Sequence, residues 1–119
     1  MPRFVILEHD RPDGLHYDFM LEIGESLKTW SLAEPPASGI ERHTERLPDH
    51  RLAYLDYEGP VSGGRGTVKQ WDRGTYRLIE RTSESMIVEL LGEKLHGRAD
   101  FVAESETPNR WKFHFAASP

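Results

Sequence analysis

The sequence predicts an all-β, mainly antiparallel fold: a compact β-barrel of about eight short strands with long irregular loops. Three observations predict it. Apolar and polar residues alternate mostly at a period of two. Turn residues recur at close spacing, and no stretch carries a sustained helical period. Closing such strands into a ring also removes the exposed edges that invite aggregation.

The elements follow in order. Phe4-Val5-Ile6-Leu7 is a first strand, and Asp10-Arg11-Pro12-Asp13-Gly14 has the composition of a turn. Residues 15–23 form a second strand with Tyr17, Phe19, Leu21 and Ile23 on one face and His16, Asp18, Met20 and Glu22 on the other. Gly24-Glu25-Ser26 turns the chain into a third strand over residues 27–32. Pro35, Pro36, Ser38 and Gly39 mark residues 34–46 as a long irregular loop. Residues 52–57 read as a strand, and residues 59–66 as a Gly-rich connection. Further strands are expected at 67–71, 75–81, 86–91, 94–103 and 111–115. The turns between them are Asp72-Arg73-Gly74, Gly92-Glu93 and Thr107-Pro108-Asn109. Trp30, Trp71 and Trp111 are expected in the core, where large aromatic side chains bury the most surface.

Composition narrows the function classes. A chain of 119 residues fits one domain over 1–119. There are no cysteines, which excludes disulfides, thiolate nucleophiles and Cys-based metal sites. The net charge of −5 argues against a protein that coats nucleic acid through a broad basic patch. It leaves room for an enzyme that meets a few phosphates through a bound cation, whose charge the count ignores. No apolar run is long enough for a membrane helix, and the first residues carry no signal-peptide pattern. A cytoplasmic protein is expected, without a membrane partner and as a monomer.

Six histidines make metal ligation the first chemistry to test. His16 and Asp18 are two apart on a strand, so their side chains leave the same face with Cβ atoms roughly 6–7 Å apart. If strands one and two pair as a hairpin, His9 returns beside His16. Two imidazoles and a carboxylate suit Mn²⁺, Fe²⁺ or Zn²⁺. A solvated polar face would show the same spacing, and spacing alone leaves both readings open. In Asp49-His50-Arg51-Leu52-Ala53-Tyr54, His50 and Tyr54 would share a face of the expected strand. Such a pair can stabilise a phosphoryl oxygen or move a proton, or it can simply pack. His43, His96 and His114 have ordinary surface or rim explanations.

Several strings then match one family in order. They are His9, Leu15-His16-Tyr17-Asp18-Phe19-x-Leu21-Glu22, Leu27-Lys28-Thr29-Trp30, Asp49-His50, Tyr54, Tyr57-Glu58-Gly59, Gly66-Thr67-Val68 and Trp71-Asp72-x-Gly74. Together they cover most of residues 3–76, and they resemble the phosphoesterase domain of bacterial DNA ligase D. The resemblance implies a Mn²⁺-binding β-barrel, with Zn²⁺ or another divalent metal as alternatives. It implies removal of 3′-phosphates and 3′-ribonucleotides from DNA or RNA 3′ ends in DNA repair. Carried onto this chain, His9, His16 and Asp18 would hold the metal. His50 and Tyr54 would bind phosphate and assist catalysis. Apart from the resemblance, Asp49 and Glu58 are candidate groups to orient a histidine.

One departure matters most. The family carries a phosphate-gripping arginine two residues after the metal-binding aspartate, and here that position is Met20. Methionine offers neither charge nor donor. Arg46, Arg51 and Arg65 are the candidate substitutes, Arg65 within a Gly-rich segment that lacks the P-loop pattern. Met20 also motivates an alternative, a non-catalytic DNA-end-binding or adaptor module with a degenerate site. A further rival is a non-haem iron oxygenase using His16, Asp18 and His50. Ligase and polymerase domains are absent from the sequence, so a ligase or repair partner would act in trans.

Overall fold

The computed structural model describes residues 1–104 and 107–119. Nine strands run in chain order: β1 (Arg3–Arg11), β2 (Gly14–Ile23), β3 (Ser26–Leu32), β4 (Glu41–Arg51), β5 (Gly59–Pro60), β6 (Thr67–Arg81), β7 (Ser85–Gly92), β8 (His96–Ala103) and β9 (Arg110–Ala117). A single turn of 3-10 helix spans Leu52–Leu55. The sheet order is β1-β2-β3-β4-β9-β8-β7-β6-β5, and β1 also pairs with β6. That last pairing closes eight strands into an antiparallel ring, the barrel the alternation predicts. β5 is a short addition on the edge of β6.

The barrel interior is an aromatic-rich core that includes Phe4, Phe19, Trp30, Phe101, Trp111, Phe113 and Phe115. Trp30 stacks on Phe101 with ring centroids 4.2 Å apart and meets Trp111 edge-on at 5.6 Å. Trp71 is only partly buried and packs on the core from its margin, edge-on to Tyr17 at 6.3 Å.

A second, smaller apolar cluster lies on the opposite face of β1 and β2. It contains Val5, Leu7, Met20, Leu27, Leu55 and Val68. The 3-10 turn supplies Leu55 as its lid, with Leu52, Tyr54, Tyr57 and Val61 packed alongside. This explains an oddity of the sequence. Phe4-Val5-Ile6-Leu7 does not alternate, because both faces of β1 are covered there.

Four expectations need correction. β1 does not end at Leu7 but continues through Asp10 and Arg11, leaving Pro12-Asp13 as the tip of a tight hairpin. The long loop is shorter than predicted, since residues from Glu41 onward pair with β9 and β3 as β4. Residues 52–55 are helical rather than extended, which places Leu55 in the outer cluster.

Asp72-Arg73-Gly74 is not a turn but the middle of β6, which runs unbroken from Thr67 to Arg81. The buried Asp72 carboxylate accepts the backbone N–H groups of Arg73 (2.8 Å), Glu93, Lys94 and Leu95 (2.9 Å each). It therefore braces the β7–β8 turn from across the barrel wall. Gly74 is required by close approach, since a Cβ there would lie 2.1 Å from the Leu91 carbonyl oxygen. Opposite Ile6 and Leu7 the β1–β6 register slips by one residue, and Trp71 is left without a partner.

Among the described residues, no helix is long and apolar enough to cross a membrane.

Candidate functional site

The site grows out of the β1–β2 hairpin. Its register pairs Val5 with Met20, Leu7 with Asp18, His9 with His16 and Arg11 with Gly14. By the period of two, these pairs form successive rungs on one face. The first rung is inside the outer apolar cluster. The later ones emerge from beneath it and become polar.

His9 and Asp18 meet diagonally across the rungs, with His9 Nδ1 2.9 Å from Asp18 Oδ2. The other nitrogen of the ring, Nε2, lies 2.8 Å from the Arg65 carbonyl oxygen. Both partners are acceptors, so making both bonds at once needs N–H at both ring nitrogens. Arg65 reaches this position because Gly66 lets the 61–66 segment press onto β1. Gly66 has φ +90°, and a Cβ there would lie 1.9 Å from the Asp10 carbonyl oxygen.

The Asp18 side chain is 4% exposed. Its Oδ1 is buried and, among the described residues, has no hydrogen-bond partner. Leaving such an oxygen unpaired costs about 1–3 kcal/mol, which marks a place for a donor or a cation.

His9, Asp18 and His50 line one cleft of about 340 Å³, together with Arg11, Asp13 and Arg65. His50 Nδ1 lies 2.9 Å from the Pro48 carbonyl oxygen and donates to it. A neutral His50 with that bond offers its Nε2 lone pair. Tyr54, carried by the 3-10 turn, meets His50 edge-on at 5.7 Å but lines an adjoining cleft with Arg51, Tyr57 and Ser62. His16 is 26% exposed, and its Nε2 is 4.0 Å from Asp13 Oδ2. It borders a third cleft of about 420 Å³ with Arg11, Ser31, His43, Thr44 and Arg110.

The hairpin thus brings His9, His16 and Asp18 onto one face, but their donor atoms do not converge. Among the described residues, no three His, Asp or Glu side chains form a ready-made cation cage. The chemistry of the donor set nevertheless fits a divalent metal. Two imidazoles sit on one rung, and the buried Asp18 Oδ1 lacks any partner among the described residues. Binding there would take one of the two His9 hydrogen bonds and turn the His16 ring.

The remaining predicted residues have other contacts. Arg46 donates to the Thr29 carbonyl oxygen (3.3 Å), to the Leu47 carbonyl oxygen and to Asp49 Oδ1 (2.9 Å), and lies 5.1 Å over the Trp30 ring. Asp49 also accepts from the Ser26 hydroxyl at 3.0 Å. The Arg46 bond holds the Asp49 carboxyl below its ordinary value, with Ser26 adding to the shift and partial burial opposing it. Glu58 accepts the Gln70 backbone N–H at 2.8 Å and so ties the chain after the 3-10 turn to β6. The Arg65 guanidinium folds back onto Ser62, with Nε donating to its carbonyl oxygen at 2.8 Å. Met20 is 1% exposed in the outer cluster.

One residue that sequence reasoning missed is Arg11. It shares the face of His9 and borders both the His9–Asp18 cleft and the His16 cleft. The signal was its spacing of two from His9, hidden by the turn-like string that follows.

Two comparisons bear on this arrangement. A family model described as the DNA ligase D 3′-phosphoesterase domain matches residues 7–103. The multifunctional non-homologous end joining protein LigD of Pseudomonas aeruginosa is 35% identical over 106 residues, which cover 81% of this chain and 12% of that protein. The matched region contains the hairpin tip, the 3-10 turn and the Gly-rich segment that build the clefts. This chain belongs to the DNA ligase D 3′-phosphoesterase domain family.

Proposed function

We propose that the protein is a metal-dependent 3′-phosphoesterase that removes 3′-phosphates or 3′-ribonucleotides from DNA or RNA ends in DNA repair. The observation that carries this reading is the cleft shared by His9, Asp18 and His50, in which Asp18 keeps a buried carboxylate oxygen without a partner among the described residues. Family membership supports the reaction class.

In this reading His9, His16 and Asp18 hold Mn²⁺, or Zn²⁺ or another divalent ion in its place. When bound, such an ion supplies Lewis-acid polarisation of a phosphoryl oxygen. The chain's own groups do the rest. Asp18 lies at the covered end of the hairpin face and fixes the His9 ring through Nδ1. His50 is oriented by its bond to Pro48, and in its imidazolium form it gives the Nε2 proton to the departing oxygen and is left as the neutral ring with Nδ1–H still on Pro48. The Tyr54 ring braces His50, and its hydroxyl serves the adjoining cleft.

A second reading is favoured by Met20, whose burial among apolar side chains removes a phosphate donor from the position where the family has one. It is a module that binds 3′ ends without turning them over.

One assay separates the two. Primers ending in a 3′-phosphate or a single 3′-ribonucleotide are incubated with Mn²⁺, Zn²⁺ or Mg²⁺. We expect 3′-hydroxyl products with Mn²⁺, loss of activity on chelation, and a fall of about 10²–10⁴-fold in His50→Ala. Tight binding of the primers with no product under any metal would establish the binding module instead.

A further inference from the structure

If Met20 cannot grip a phosphate, the cleft needs another cation. This rests on the phosphoesterase reading and deepens it. Of the arginines considered from sequence, Arg46 is committed to two carbonyl oxygens, Asp49 and the Trp30 ring. Arg51 faces the Tyr54 cleft. Arg65 is in the right cleft, but its guanidinium is tethered to Ser62 by two hydrogen bonds within its own turn.

Arg11 differs from all three. It is on the same face as His9, one rung further along. Its cross-strand partner is Gly14, and a Cβ built at Gly14 meets nothing within 4 Å. No side chain stands opposite Arg11 on this rung, and its own side chain is 29% exposed. Its Nε is buried and, among the described residues, has no hydrogen-bond partner. The Asp13 carboxylate is 3.2 Å from that nitrogen, outside hydrogen-bond geometry, and Asp13 is 70% exposed. Such an ion pair is weak and easily exchanged for a better acceptor.

Arg11 also borders both the cleft of His9, Asp18 and His50 and the cleft of His16. A guanidinium there can present two parallel N–H groups to a tetrahedral oxyanion while the histidines flank it.

We propose that Arg11 is the phosphate-binding residue of this protein, holding the non-bridging oxygens of a 3′-terminal phosphate from β1 in place of the donor that β2 lacks at Met20. The ligand class is a phosphate monoester or diester at a nucleic-acid 3′ end, and inorganic phosphate shares its recognised part.

The test is calorimetric titration of the full chain with inorganic phosphate, without metal, for the natural protein and for Arg11→Gln, Arg11→Lys and Met20→Leu. We expect Arg11→Gln to weaken phosphate binding by about 10–100-fold, the scale of a lost charge-assisted contact. Arg11→Lys keeps the charge but not the fork, and should weaken it by roughly three- to tenfold. Met20→Leu should bind as the natural protein does. Thermal unfolding of each variant checks that the hairpin is intact. If Arg11→Gln does not fold, the Arg11→Lys value decides the matter, and unchanged affinity there overturns the proposal.

Equal affinity in Arg11→Gln and the natural protein overturns it as well, as does a natural protein that binds no phosphate. The outcome is separable from the primer assay. Arg11-dependent phosphate binding without turnover would sink the enzymatic reading and leave this assignment standing. Turnover with a KM unchanged in Arg11→Gln would do the reverse.

Discussion

The β1–β2 hairpin has two halves built on one register and put to different uses. In the half nearer the chain start, Phe4 to Leu7 and Phe19 to Leu21 are buried on both faces. The inner face belongs to the aromatic core and the outer face to the cluster closed by Leu55. In the half nearer the turn, the same outer face carries Asp18, His9, His16 and Arg11, and these line clefts outside the outer apolar cluster. Packing a few residues away can thus fix the direction of polar side chains that make few contacts themselves. Asp18 stands at the border, buried like its apolar neighbours yet charged like the site.

The widest contrast is between Phe19 and Asp18, neighbours on one strand that face opposite ways. Phe19 is fully buried, with ring centroids of Phe101, Phe113 and Phe4 at 5.2, 5.7 and 5.8 Å. Phe19→Ala should lower the free energy of unfolding by about 3–5 kcal/mol, measured by urea denaturation. A loss under ~1 kcal/mol would mean that the barrel interior does not anchor the ribbon.

Asp18→Asn should change that stability by no more than about 1 kcal/mol. The new side chain keeps an acceptor for His9 and sets a neutral amide nitrogen where the unpartnered charged oxygen stands. Its Mn²⁺ affinity, read by titration, should still fall by at least about tenfold, since a charged ligand is lost. A stability loss as large as that of Phe19→Ala would erase the distinction between the two halves.

How much of this was legible in the sequence differs along the same ribbon. The barrel was legible because alternation depends on residue type alone. The shared face of His9, His16 and Asp18 was legible because a strand period and a short hairpin decide it. Arg11 was not, because Pro12, Asp13 and Gly14 dominate the local pattern and hide that β1 continues beneath them. Tyr54 was misplaced for a related reason. Leu52-Ala53-Tyr54-Leu55 has strand-like composition, and only the apolar pocket beneath Leu55 shows why it coils. Asp72-Arg73-Gly74 reads as a turn on any local rule. Three of the four N–H groups that hold Asp72 come from residues 21–23 positions later, a distance no local pattern spans. What the site residues do to one another was also hidden, since the His9–Arg65 contact joins residues 56 apart.

The smallest expected effect concerns how the polar half is fastened to its neighbours. Asp49 precedes His50 and links the end of β4 to Ser26 at the start of β3 and to Arg46. Its carboxyl is held below the ordinary value, first by the Arg46 hydrogen bond. A depressed value in the folded state means that the ionised form is favoured by folding. That contribution is complete above the unfolded value of about 3.9 and disappears as the pH falls through the lower folded value. Because Asp49 is about half exposed, solvent screening limits it to at most ~1 kcal/mol. Urea denaturation between pH 6 and pH 3 should therefore show Asp49→Asn slightly less stable than the natural protein at the upper end, with the gap closing below about pH 4. A gap that stays constant over the whole range would mean that the carboxylate charge contributes nothing to this fastening. His50 would then be held by its bond to Pro48 and the edge contact with Tyr54, so that the orientation of the site would rest on packing and backbone contacts.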